Sequence, residues 1–314
     1  MYIESKDINS ISWSAEIDLL SDLEKISERR LNELKITRDI NKVASVQFVS
    51  YCFRKVTADP KIILQSRELI CPSGYENAFN TVCRKIAEGE DLSPFLSRRY
   101  DDSSFSDYLF NDWHIYHFHL SDQFDPDGKA RRSDNLLFAY IDSHAAYLIQ
   151  IYPHSESDVF AKTDMLRIIS CNWPNLISRY EFSGKAIHTF SDSAISEMRN
   201  HNINVITEIN PGKGLLSIGG GSSSDGSPTE AITGLLAIQR KLASCQRMII
   251  NNTEKILKSL IEHISEHVNH NLAYELVEVN TLDRTFVIYE KSNSIRITIN
   301  EDNLDSLLIE PIAD

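Results

Sequence analysis

The sequence predicts an α+β protein with a helical N-terminal region, a central antiparallel sheet, and a long C-terminal helix beside a small β-meander. Apolar residues recur at helical spacing in the N-terminal part, whereas residues 113–152 contain short apolar runs typical of strands. A long helical pattern follows residue 228. We therefore expect a helical region over residues 1–110, a catalytic β/α domain over 111–218, and a glycine loop, long helix and small sheet over 219–314.

Composition narrows the classes of function. The 314 residues carry a net charge of −13, which opposes nonspecific attraction to nucleic acid, so contact with RNA requires a local basic patch. The five cysteines lack a Cys-x-x-Cys spacing and favour neither a disulfide framework nor a thiolate zinc site. No apolar run reaches the roughly 20 residues of a membrane span, and the N-terminus lacks the features of a signal peptide. We expect a cytoplasmic protein that does not contact a membrane.

Three amphipathic helices are predicted in the N-terminal region. Apolar residues recur at helical intervals over residues 14–35 and again over residues 39–56. A third helix is expected over residues 76–87, because Gly89 follows it as a C-cap.

At Trp113 the spacing of apolar residues changes from helical to strand-like. A strand is expected from there to Leu120. Successive side chains of a strand point to opposite faces, so His117 and His119 should be neighbours on one face. The loop over residues 121–135 contains a Pro-Asp-Gly turn followed by three basic residues. These basic residues are Lys129, Arg131 and Arg132.

Two apolar runs of strand length follow this loop. Residues 136–141 and 146–152 flank a short polar turn and predict an antiparallel hairpin that ends at His154. Thr163 or Asp164 is expected to cap a helix that continues to Cys171.

The remaining chain alternates turns with regular elements. A short helix is expected over residues 192–199, and residues 210–214 should turn between two strands. Ser227 and Glu230 have the spacing of a capping box at the start of the long helix, whose length suggests a homo-oligomer interface. Three closing strands are predicted, over residues 273–279, 284–289 and 295–299, followed by an acidic tail.

Histidines held near one another suit RNA cleavage without a metal ion. The reaction needs a base for the 2′-OH, an acid for the 5′-oxygen, and cations for the phosphoryl group. His117, His119 and His154 are the catalytic candidates. The candidate substrate-binding residues are Lys129, Arg131, Arg132 and Trp113. For Trp113 a core position is the simpler interpretation, and no cofactor is expected.

The same stretch resembles a known family. Residues 116–120, 135–142 and 146–154 are similar to the strand meander of the RelE/HigB ribonuclease toxins, in which a hairpin also ends in a histidine. The resemblance covers residues 111–175, and this chain is longer and more acidic than those toxins. It implies a toxin-antitoxin or abortive-infection effector, related to anti-phage defence. The implied partners are RNA and an antitoxin, an inhibitory protein or a nucleic-acid partner.

Two other classes of function remain open. His117 and His119 have the spacing of metal ligands on a strand, and His154 with Asp112, Asp122 or Asp142 would complete the site of a metal-dependent hydrolase. Alternatively, the acidic surface and the long helix belong to a non-enzymatic regulatory or assembly protein.

Two further patterns are weaker. The spacing of His263, His267 and His270 is compatible with metal binding, although a solvated helix face explains it more simply. The glycine loop over residues 219–226 precedes a helix and is a candidate phosphate loop through Gly220, Gly221 and Ser222, with Lys213 nearby. A flexible linker, or a loop that closes over the histidine face, explains the pattern at least as well.

Overall fold

The computed structural model has the predicted α+β architecture. It describes residues 2–4, 12–183, 189–210, 212–263, 268–280, 285–300 and 303–311. The described helices are α1 (Leu19–Glu33), α2 (Ala44–Arg54), α3 (Glu76–Glu88), α4 (Tyr108–Trp113), α5 (Asp164–Asn172), α6 (Pro174–Ile177), α7 (Asp192–Asn200) and α8 (Thr229–His263).

Strands are distributed along the whole chain. The described strands are β1 (Tyr2–Glu4), β2 (Ser14–Glu16), β3 (Ile62–Gln65), β4 (Ile115–His119), β5 (Asn135–Ile141), β6 (Ala145–Pro153), β7 (Glu181–Ser183), β8 (Thr207–Asn210), β9 (Lys213–Leu215), β10 (Asn271–Asn280), β11 (Thr285–Glu290), β12 (Ile295–Asn300) and β13 (Asn303–Pro311). In the part of the chain that the structure covers, we find no helix with the length and apolarity that a membrane crossing requires.

The helix termini follow their local sequence. The Asp18 carboxylate accepts a hydrogen bond from the Ser21 N–H at 3.2 Å and caps α1, so the helix predicted over residues 14–35 begins later than expected. Gly89 has a φ of +70° and ends α3, because this left-handed conformation is readily adopted by glycine. His114 has a φ of +56° and ends α4, which delays the predicted strand to Ile115.

The chain forms two compact units. One contains residues 1–35, 40–48 and 233–314, and the other contains residues 36–39 and 49–232. This division differs from the predicted boundaries at residues 110 and 218. The N-terminal segment belongs with the C-terminal strands because β2 pairs in parallel with β10.

The first unit is built on a six-stranded sheet in the order β1-β2-β10-β11-β12-β13. The three closing strands predicted from the sequence are confirmed, and the expected acidic tail adds a fourth, β13. Glu290 is fully buried in this unit. Its carboxylate accepts hydrogen bonds from the N–H groups of Ala273, Ser292 and Asn293, which offset the cost of burying a polar group.

The second unit contains a four-stranded sheet in the order β3-β6-β5-β4 and a three-stranded sheet in the order β7-β9-β8. The predicted hairpin is confirmed, since β5 pairs antiparallel with β6. β4 pairs antiparallel with β5 and places His117 opposite Phe138 and His119 opposite Leu136. All five residues of β4 are buried, so its histidines lie at the edge of the core.

A buried ion pair fastens α4 to α7 in the second unit. The Asp112 carboxylate accepts hydrogen bonds from Arg199 Nε at 3.0 Å and Nη2 at 2.7 Å. The Ser217 hydroxyl donates to the same carboxylate, and the Arg199 guanidinium lies 3.9 Å from the Trp113 ring centroid. Arg199 Nη1 also donates to the Phe160 carbonyl at 2.6 Å. Since both charges are sealed from water, each needs the other for its neutralisation.

We predict that Asp112→Ala lowers the free energy of unfolding by about 3–5 kcal/mol, because it leaves the Arg199 charge buried without its partner. Urea unfolding followed by circular dichroism measures the loss. The matched control is Arg131→Ala, which removes a solvent-exposed ion pair with Asp125 and should cost about 1 kcal/mol or less. Equal effects of the two substitutions would contradict the prediction.

Candidate active site

The second unit contains a cavity of about 580 Å³ beside the four-stranded sheet. His117, His119 and His154 all line it. The strand pairing explains this convergence: Leu136 pairs with both His119 and Tyr152, so His119 is level with the end of β6, where His154 follows. The His119 and His154 rings are stacked, with centroids 6.1 Å apart and planes at 16°. The structure thus brings the three predicted catalytic histidines together.

The His119 ring is oriented by the loop that follows β4. The Ser133 N–H donates to His119 Nδ1 at 3.3 Å, so Nδ1 acts as the acceptor and the neutral ring carries its hydrogen on Nε2. Burial, together with the nearby charges of His117, His154, Arg132 and Arg98, lowers the pKa of His119 to about 4. At neutral pH His119 therefore offers a hydrogen-bond donor.

His117 is also buried, with 9% of its surface exposed. Its Nδ1 lies 3.9 Å from the Asp107 carboxylate, and that atom is sealed from solvent without a hydrogen-bond partner among the described residues. Burial lowers the pKa of His117, whereas the Asp107 charge opposes this shift. The ring nitrogen left to the cavity is Nε2.

Phe160 forms an apolar wall beside two of the histidines. Its ring centroid lies 5.0 Å from that of His117 and 5.9 Å from that of His154, in edge-to-face arrangements. The Phe160 carbonyl is held by Arg199, so the buried ion pair of the core also positions this wall. His154 itself is anchored through its N–H, which donates to the Asp134 carbonyl at 2.7 Å.

Four arginines line the cavity, and one of them, Arg199, is paired with the buried Asp112. Arg132 is exposed and forms no ion pair with any residue that the structure describes. Arg98 and Arg99 line the same cavity and were missed from the sequence. Arg98 pairs with Asp125 and, at 3.4 Å, with Asp127, and the Arg99 guanidinium lies 4.6 Å from the Phe105 ring centroid. The adjacent arginines of residues 98–99 were the available signal, but their distance along the chain hid their connection to the histidines.

The other candidate substrate-binding residues lie outside the cavity lining. Arg131 donates to Asp125 at 3.1 Å and to Gln123 at 2.7 Å. Lys129 is held by Asp101 at 2.9 Å. Trp113 is 1% exposed beneath Arg199, in agreement with a core position. Of the four predicted contacts, Arg132 alone is among the residues that line the cavity.

The glycine loop is bound to α4 by backbone hydrogen bonds. The N–H groups of Gly220, Gly221 and Ser222 donate to the Ser217 carbonyl, the Asn111 carbonyl and the Asn204 side chain, respectively. A Cβ on Gly221 would lie 2.4 Å from Asn204 Oδ1, which explains the need for glycine. These three donors are therefore not free for a phosphate group. Lys213 pairs with Glu181 at 3.2 Å and does not line the cavity.

The candidate metal ligands are arranged differently from the predicted hydrolase site. Among the described residues, no group of three or more His, Cys, Asp or Glu side chains is placed to hold a metal ion. The Asp112 carboxylate is bound by Arg199, and that of Asp142 accepts from the N–H groups of His144 and Ala145. The carboxylate that lines the cavity is Asp107. Of the second histidine set, His267 and the His263 side chain lie outside the described residues.

Comparisons with protein-family models, curated proteins and solved structures find no match to this chain.

We expect the His119 ring to titrate near pH 4, because burial disfavours its charged form. The unfolded chain takes up this proton first as the pH falls below about 6.5. The contribution of His119 to stability is therefore present above about pH 6.5 and is lost as the pH falls towards 4. An NMR titration of the ring protons measures the pKa, and urea unfolding over the same range measures the loss of stability.

His119→Gln is the control for this titration, since it removes the ionisable group and should reduce the loss of stability between pH 6.5 and 4. A His119 ring that titrates like an exposed imidazole would contradict the prediction.

Proposed function

We propose that the cavity cleaves RNA without a metal ion, and that the chain is a toxin-type endoribonuclease. The observation that carries this proposal is the convergence of three imidazoles with the guanidinium groups of Arg98, Arg99 and Arg132 on one cavity. Proton-transfer groups next to fixed cations are the combination that phosphodiester cleavage requires. A cavity of about 580 Å³ is in the size range of small-molecule sites and suits a short single-stranded segment.

The charge distribution supports an RNA substrate that enters locally. The chain as a whole is acidic, with a net charge of −13, so the surface outside the cavity repels a polyanion. Arg99 and Arg132 on the cavity lining offset this repulsion, together with Arg98, whose charge is shared with Asp125 and Asp127. Affinity should therefore depend on a few phosphate contacts rather than on an extended basic face.

The histidines divide the chemical roles. The 2′-oxygen attacks phosphorus, a bond to it forms, and the bond between phosphorus and the 5′-oxygen breaks, which leaves a 2′,3′-cyclic phosphate and a 5′-hydroxyl. His154 takes the proton of the 2′-OH, and its imidazolium then protonates the departing 5′-oxygen. His119 is held neutral with hydrogen on Nε2, so it donates to a phosphate oxygen together with Arg132.

The resemblance of residues 111–175 to RelE/HigB toxins favours a cytoplasmic effector of a toxin-antitoxin or abortive-infection system. An antitoxin, another inhibitory protein or a nucleic-acid partner would then hold the activity in check. The long helix α8 is the candidate homo-oligomer surface.

We predict that the purified protein cleaves single-stranded RNA in the presence of a chelator. His154→Ala and His119→Ala should each lower the cleavage rate by about 100-fold or more, because proton transfer and charge stabilisation contribute on that scale. Gel analysis of a labelled oligonucleotide measures the rates and identifies the cyclic phosphate. His144→Ala is the control, since His144 is exposed on the turn between β5 and β6. Cleavage that stops in chelator, or that survives both active-site substitutions, would refute the proposal.

Arg132 and Arg131 form a matched pair for testing phosphate recognition. Arg132→Ala should weaken RNA binding by about 10-fold or more and reduce its salt dependence, because a charge-assisted contact and its counterion release are lost. Arg131→Ala should leave binding within about twofold, because Arg131 is already bound to Asp125 and Gln123. Fluorescence anisotropy at several salt concentrations measures both. Equal losses would show that the basic loop acts only through its net charge.

A further inference from the structure

A second, smaller chamber lies behind His117. Its volume is about 20 Å³. Five residues line both this chamber and the large cavity, so the two spaces adjoin; they are Leu96, Ser97, Phe105, Asp107 and His117. About 10–15 Å³ of such space is sufficient for one water molecule, provided that two to four polar partners surround it.

Three buried polar atoms of residues that line this chamber have no hydrogen-bond partner in the part of the chain that the structure describes. They are Arg54 Nε, the Tyr100 hydroxyl and His117 Nδ1. Their residues are 3%, 7% and 9% exposed, respectively. The two terminal nitrogens of Arg54 are already used, since they donate to the carbonyls of Phe105 and Asp102 at 2.6 Å and 3.2 Å. Because buried polar groups are rarely left unpaired, the shared chamber points to a bound species.

The Asp107 carboxylate supplies a fourth polar group. Its Oδ1 accepts from the Phe110 N–H and caps α4, whereas its Oδ2 lies 3.9 Å from His117 Nδ1. This separation is too long for a direct hydrogen bond and is suited to a bridging water. The four groups come from α2, the turn at Tyr100, the segment before α4, and β4.

We infer that the chamber binds one ordered water molecule that accepts hydrogen bonds from Arg54 Nε–H and the Tyr100 hydroxyl and donates to His117 Nδ1 and the Asp107 carboxylate. Two donors and two acceptors match the tetrahedral valence of water. A small anion cannot donate to His117, and the Asp107 charge repels it. A cation is excluded by the charge of Arg54.

The water determines the tautomer of His117. When Nδ1 accepts, the neutral ring carries its hydrogen on Nε2 and presents a donor to the cavity, as His119 does through Ser133. The lowered pKa of His117 agrees with a neutral ring. If the proposed ribonuclease function holds, His117 orients a phosphate oxygen, His154 remains the proton-transfer group, and Arg54 and Tyr100 are positioning residues that act through the water.

The test combines a high-resolution crystal structure with ¹⁵N NMR of labelled histidine, which distinguishes protonated from unprotonated ring nitrogens. The wild type should show a water within hydrogen-bonding distance of Arg54, Tyr100 and His117, and a single Nε2–H tautomer for His117. Tyr100→Phe removes one donor and should lower the occupancy of the water and introduce the second tautomer. Tyr51→Phe is the control, because its ring lies 5.5 Å from Tyr100 but does not line the chamber.

A dry chamber, an anion in it, an Nδ1–H tautomer in the wild type, or an unchanged His117 spectrum in Tyr100→Phe would each overturn the inference. Asp107 and His154 are the ionisable groups that shift the pKa of His117, so spectra are compared at one neutral pH. None of these measurements needs RNA. The water can therefore be tested even if the protein cleaves no RNA. Likewise, the cleavage assay remains valid if no water is found.

Discussion

The register of β4, β5 and β6 controls the site. Side chains alternate between the faces of a strand, so a slip of one residue would carry His117 and His119 away from the cavity. The apolar residues of these strands enforce the register, because Phe118, Leu137 and Phe138 are fully buried and a slip would move them too. The arrangement of the histidines is therefore maintained by the hydrophobic core.

Buried polar groups connect the core to the wall of the cavity. Asp112 and Arg199 neutralise each other beside Trp113, and the remaining donor of Arg199 holds the carbonyl of Phe160. Phe160 in turn packs against two histidines. A buried ion pair contributes little net stability when compared with apolar packing. In this fold its role is to connect a helix, the glycine loop and the wall of the cavity in one arrangement.

Burial and charge act in the same direction on the His119 imidazole, whereas the Asp107 charge opposes the effect of burial on His117. Desolvation disfavours the imidazolium of His119, and the guanidinium groups of Arg98 and Arg132 add repulsion. The neutral His119 ring carries its hydrogen on Nε2, and its Nδ1 accepts a hydrogen bond from Ser133. The ring can therefore take up a proton only by losing that hydrogen bond or by changing tautomer. Three histidines at one cavity therefore do not imply three equivalent bases. In the proposed mechanism, His117 and His119 act as hydrogen-bond donors, and His154 transfers the proton.

Local patterns in the sequence determined the elements around the histidines. The two-residue period predicted β4 with His117 and His119 on one face, the apolar runs predicted the hairpin β5–β6, and Gly89 marked the end of α3, because each signal depends on residues close together in the chain. The tertiary structure decided which segments distant in the sequence come into contact. It joined β2 to β10, brought Arg98 and Arg99 to the cavity, assigned Lys129 and Arg131 to carboxylates, and used the glycine loop as a brace. These outcomes depend on packing and charge pairing between distant segments, which local periodicity does not encode.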